Sequence, residues 1–82
     1  MIVIIPAYEP DEHLIRLIDE FKLHTSYRIV VVNDGSVNST DIFEGIASKV
    51  DLVEHKINKG KGAAMKTGVE YVLTHIPEAD GI

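Results

Sequence analysis

The chain contains no cysteine in its 82 residues. That removes disulfides and thiolate metal sites from consideration and leaves the redox compartment unmarked. Basic residues are scarce as well: eight Lys and Arg stand against 13 Asp and Glu, for a formal net charge of −5. A nucleic-acid groove needs a basic face to neutralise phosphates, so the balance argues against nucleic acid as a partner. Apolar runs stop at four or five residues, far short of the roughly 20 that a membrane helix needs. The amino terminus has neither the basic region nor the long apolar stretch of a secretory signal. A cytoplasmic location is the resulting expectation.

What is present is an ordinary globular composition, with 45% hydrophobic and 26% charged residues. At this length the chain is one domain or part of one. It can bury only about 60–65% of the surface its unfolded form exposes, which predicts modest stability.

The apolar pattern alternates between two kinds of segment. Short β-branched runs at Ile2–Ile5 and Ile29–Val32, and a weaker one at Asp51–His55, suit strands buried on both faces. Between them lie helical periodicities. Leu14, Leu17, Ile18 and Phe21 follow Pro10, Asp11 and Glu12, which are good first-turn residues. Ile42, Phe43, Ile46 and Ala47 form a shorter face, with Asn38 or Ser39 as its N-cap. Met65, Val69, Val72, Leu73 and Ile76 form the longest stripe, closed by Pro77. The order β-α-β-α-β-α predicts a three-layer α/β/α fold with a parallel sheet and right-handed crossovers. Asp80, Gly81 and Ile82 read as the approach to a fourth strand, so residues 1–82 are expected to be a single partial domain.

Loops that leave the carboxyl ends of parallel strands meet at one crevice, where open α/β sheets bind ligands. Three such loops carry candidate chemistry. In Pro6-Ala7-Tyr8-Glu9, Tyr8 can stack on a planar base and Glu9 can hold a sugar hydroxyl. The plainer alternative is that Pro6 ends the strand, Tyr8 covers the core and Glu9 is a solvated acid before the helix. In Asn33-Asp34-Gly35-Ser36, the Asp34 carboxylate can accept from a ring N–H or a ribose hydroxyl. The alternative is an Asp-Gly turn in which Asp34 bonds its own backbone. The third loop, Asn58-Lys59-Gly60-Lys61-Gly62-Ala63, places lysines and glycines before a helix, as an anion site requires. Its alternative is a flexible loop with solvated lysines. It is not a Walker loop, and Met65 stands where a third dinucleotide-motif glycine belongs. His13, His24, His55 and His75 lack metal-ligand spacing, and helix-end or surface roles are expected for them.

In order and spacing, these three loops resemble the first three motifs of family 2 glycosyltransferases, in particular the polyprenyl- and dolichyl-phosphate sugar transferase group. The resemblance covers essentially the whole chain. It implies a GT-A, Rossmann-like fold whose amino-terminal half binds a nucleotide-diphosphate sugar, UDP- or GDP-linked. The nucleotide-binding residues it implies are Pro6, Ala7, Tyr8, Glu9, Asp34, Ser36, Lys59 and Lys61, with Asp34 at the base and Lys59 and Lys61 near base or diphosphate. Asn33 departs mildly, since many relatives carry Asp there. The resemblance also implies Mg²⁺ or Mn²⁺, held by an Asp-x-Asp motif, and a later catalytic base. Neither motif occurs within 82 residues, so the metal ligands are expected outside this chain and the chain alone is expected to be inactive. A lipid-phosphate acceptor is implied, with membrane association of a full-length protein at the cytoplasmic face. An uncovered strand edge near the carboxyl terminus suggests a homodimer. The rival readings are a non-catalytic nucleotide-binding module and a flavodoxin-like regulatory module.

Overall fold

The computed structural model of the chain describes residues 1–76. The order is β1 (Ile2–Ala7), α1 (Glu12–His24), β2 (Arg28–Asp34), α2 (Thr40–Ile46), β3 (Asp51–His55) and α3 (Lys61–His75). The three strands form one parallel sheet in the order β1-β2-β3. β2 is central, and Ile29, Val30, Val31 and Val32 are fully buried. Its unbroken β-branched run is what a strand covered on both faces needs.

The two faces separate by residue parity. Ile29 and Val31 join Leu14 and Ile18 of α1 and Phe43 and Ile46 of α2 in one cluster. Val30 joins Ile2, Val72 and Ile76 in the other, with Ile4 and Val53 packed against it. α1 and α2 therefore cover one face and α3 the other, giving three layers. The expected fold class is present; β1 and β2 run longer than their apolar runs, and β3 has the expected bounds. Pro6 lies inside β1 rather than ending it, paired in register with Val32. This is tolerable because, among the described residues, β1 has a neighbouring strand on one side only, so its other side needs no donor.

The helix faces are rotated from the expected stripes in two places. In α1, Leu14 and Ile18 are buried and Leu17 is 44% exposed. In α3, the buried line is Ala64, Gly68 and Val72, while Leu73 is 68% exposed. The cause is close approach: a Cβ added at Gly68 would lie 2.5 Å from Ile4 Cγ2 and 3.3 Å from Val32 Cγ2. Small residues let the first turns of α3 sit low on the sheet, Val72 and Ile76 complete the contact further along, and Leu73 is left outside it. Pro77 and the fourth strand read at Asp80-Gly81-Ile82 lie outside the described residues.

Asp11 caps α1, its side chain accepting from the His13 N–H at 2.9 Å. α2 takes Ser39 as its N-cap, but Ser39 makes no side-chain bond to the helix backbone. Its hydroxyl is committed elsewhere.

Candidate functional site

All three loops emerge at the carboxyl edge of the sheet and are fastened to one another. The first fastening joins the β1 and β2 loops. The Glu9 N–H donates to Ser36 Oγ at 2.8 Å. The Glu9 carboxylate in return accepts from the N–H groups of Val37 and Asn38 at 3.0 and 3.1 Å and from Ser39 Oγ at 2.8 Å. Glu9 takes a left-handed backbone, with φ of 45°. Only a residue held from several sides keeps such a conformation, and these bonds hold it. The Val37 N–H and the Ser39 hydroxyl, with the Asn38 N–H, lower the Glu9 pKa against the opposing cost of desolvation.

The second fastening joins the β2 and β3 loops through Asp34, which is only 3% exposed. Its Oδ1 accepts from His55 Nδ1 at 2.7 Å and from the Lys59 N–H at 2.9 Å, and Oδ2 accepts from the Gly60 N–H at 2.9 Å. The His55 hydrogen bond is the largest cause of a lowered Asp34 pKa, followed by the Lys59 N–H; the Gly60 N–H and the His55 charge add to it, and desolvation opposes. The turn itself is closed by the neighbour rather than by Asp34: Asn33 Oδ1 accepts from the Ser36 N–H at 2.9 Å. Gly35, with φ of 77°, lets this turn press against the backbone of Ile57 and Asn58.

A cleft of about 420 Å³ opens where the loops converge, lined by Pro6, Ala7, Tyr8, Asp34, Asn58, Gly60 and Lys61. Tyr8 is 57% exposed, so its ring is presented at the mouth rather than spent on the core. Gly60, with φ of 94°, precedes α3 without a side-chain cap. The N–H groups of Lys61, Gly62 and Ala63 in the first helical turn have no intrahelical acceptor. They and the exposed Lys61 side chain make that end of the cleft cationic.

The structure thus brings Pro6, Ala7, Tyr8, Asp34 and Lys61 to one cleft. It sets Glu9 and Ser36 behind it as fasteners. Lys59 gives its backbone N–H to Asp34 and leaves its side chain at the surface. Against the expectation of a surface or helix-end role, His55 is buried, its side chain 6% exposed. Strand parity was the available signal: Val53 and His55 point the same way, as do Val32 and Asp34, and Asp34 and His55 are in register.

The described residues do not form a three-ligand divalent-cation site. Among the described residues no three acidic or histidine side chains converge, and both acids at the crevice already serve N–H donors. No helix among the described residues is long and apolar enough to cross a membrane.

Stability should fall in acid through these carboxylates. A depressed folded-state pKa contributes stability that is complete above the ordinary carboxylate value and lost as pH drops through the lowered one. For Glu9, Asp34 and the similarly lowered Asp11, the thermal midpoint should be flat near neutrality and decline below about pH 5. Glu9→Gln and Asp34→Asn should each lower the neutral plateau and flatten the acid limb. An unchanged acid limb would show that the fastenings carry no pH-dependent stability.

A parallel α/β domain with braced, partly cationic loops at its carboxyl edge has the architecture at whose carboxyl edge open sheets bind ligands. Residues 2–76 match the family described as Glycosyl transferase family 2, and the chain belongs to that family. It is similar to a dolichyl-phosphate beta-glucosyltransferase of Dictyostelium discoideum, with 32% identity over 82% of this chain and 25% of that protein. A protein of the same description from Trichomonas vaginalis is 30% identical over 96% of this chain and 30% of its own length. An uncharacterised protein of Methanocaldococcus jannaschii is 31% identical over 93% of this chain and 31% of its length. The chain therefore spans about a quarter to a third of these curated relatives. No solved structure matches it.

Proposed function

We propose that residues 1–82 are the nucleotide-binding half of a glycosyltransferase that moves a sugar from a UDP- or GDP-linked donor to an acceptor. The observation that carries this reading is the braced cleft, with an exposed aromatic ring on the β1 loop and the uncapped start of α3 opposite. A base stacked on Tyr8 would direct its diphosphate toward the N–H groups and lysines of Lys59–Ala63. Pro6 and Ala7 form the floor, and Glu9, Ser36 and Asp34 keep the walls in place. The dolichyl-phosphate named for two relatives supports a lipid-phosphate acceptor, and with it a membrane-associated full-length protein at the cytoplasmic face. The divalent ion and the catalytic base belong to residues outside this chain, which alone should not turn over. A homodimer through the edge near the carboxyl terminus is part of the same proposal.

The flavodoxin-like alternative would use Asp34 as a phosphoryl acceptor. Its burial and three hydrogen bonds oppose that role.

Titration with UDP and GDP, followed by backbone amide shifts, tests the reading. Changes should concentrate at Tyr8, Asp34 and Lys59–Ala63. Tyr8→Ala should weaken binding by roughly tenfold, since base–aromatic stacking contributes about 1–3 kcal/mol. Scattered shifts, or none, would refute the site.

A further inference from the structure

We propose that a second cleft, between α2 and β3, binds an α-amino amide: an ammonium with a neutral carbonyl beside it and an apolar side chain. The inference goes beyond the nucleotide reading and stands without it.

The cleft holds about 290 Å³ and shares no lining residue with the one beneath Tyr8. Asn33 and Asp34 are adjacent in β2 and point to opposite faces of the sheet. Asn33 faces α2, as Val31 does, and is only 8% exposed. Its Oδ1 accepts from the Ser36 N–H at 2.9 Å, which identifies the other end of the amide as Nδ2. Nδ2 has no hydrogen-bond partner among the described residues. No fully buried side-chain nitrogen or oxygen among those residues lacks a partner, so Nδ2 reaches accessible surface. The surface it reaches is the cleft that Asn33 lines. An open donor on an otherwise buried side chain marks a place for an acceptor.

The rest of the lining restricts what that acceptor can be. Glu44 on α2 and Glu54 on β3 line the same cleft, and both are exposed. Neither carboxylate has a hydrogen-bond or ion-pair partner among the described residues. Glu54 is in register with Asn33, so it stands beside the amide on the next strand. Phe43, Ala47 and Leu52 supply an apolar wall. Nδ2 offers donors only, which suits a carbonyl or carboxylate oxygen. Two carboxylates at the rim repel a carboxylate or phosphate and attract a cation. A ligand that meets both conditions carries a positive nitrogen close to a neutral carbonyl, with hydrocarbon for the wall. An α-amino amide with an aliphatic side chain has all three.

Four matched probes test this in NMR titrations at low salt. Leucinamide has every feature. Isopentylamine lacks the carbonyl, N-acetylleucinamide lacks the cation, and leucine replaces the amide by a carboxylate. Leucinamide should shift the Asn33 side-chain NH₂ and the backbone amides of Glu44 and Glu54, and should bind more tightly than the other three. Its advantage over isopentylamine should be about three- to tenfold, as one hydrogen bond supplies. Asn33→Asp keeps the acceptor for the Ser36 N–H and exchanges only the donor, so that advantage should vanish. Glu44→Gln and Glu54→Gln, both at exposed positions, should each weaken leucinamide by about two- to fivefold. No shift with leucinamide, isopentylamine binding as tightly, or an advantage that survives Asn33→Asp would each overturn the site. Shifts centred on Tyr8, Gly60 and Lys61 would put the ligand in the other cleft and overturn it equally. Failure of UDP and GDP to bind would refute the nucleotide reading and leave this site standing.

Discussion

Replacing Gly35 with alanine should cost about 3 kcal/mol or more and force the β2 and β3 loops apart. Two effects add. At φ of 77° an L-residue carries a backbone penalty of roughly 1–2 kcal/mol. The new Cβ would also lie 2.2 Å from Asn58 N and 2.3 Å from Ile57 C. Those are backbone atoms of the neighbouring loop and cannot rotate away. A domain of this length has only about 4–12 kcal/mol in total, so the loss is a large share. Denaturant unfolding should show the midpoint shift, and the amides of Asn58, Lys59 and Gly60 should move together because Asp34 binds two of them. A loss below about 1 kcal/mol would mean that the loops yield and that their apposition is not rigid.

Gly68→Val should be of similar size, about 3 kcal/mol, but its damage should fall on the α3 layer. The Cβ alone would overlap Ile4 Cγ2 at 2.5 Å and crowd Val32 Cγ2 at 3.3 Å, and two further methyls enlarge the conflict. Unlike Gly35, the obstacle here includes a flexible side chain. Gly68→Ala should therefore be far milder, since alanine gains up to ~1 kcal/mol of helix propensity. Combining Gly68→Val with Ile4→Ala should restore part of the loss. A strictly additive double variant would show that Ile4 is not the obstacle.

The layers of this fold were legible because β2 is a pure β-branched run and the helices are separated from it by polar turns. Helix orientation was less legible. Apolar periodicity selects the largest residues, and α3 buries its smallest, Ala64 and Gly68, because the sheet leaves no room for more. At the site, residue types point to the three loops that meet at the carboxyl edge, but they do not reveal how the loops are fastened. Glu9 and Asp34 bind backbone N–H groups 25 to 29 residues away in sequence, so neither is simply a solvated acid or a local turn former. No local pattern encodes such a pairing; it follows from which strands are neighbours and in what register. His55 is the exception that parity could have caught.

The placement of the helices has one further consequence. α1 and α2 carry the chain outward across one face, from β1 through β2 to β3. α3 starts back across the other. There α3 lies against Ile4 of β1 and Val32 of β2, and the outer edge of β1 has no partner among the described residues. Pro6, Ala7 and Tyr8 therefore form the margin of the cleft on the side of the sheet edge, and the Asp34 fastening on the central strand forms its inner, fixed margin.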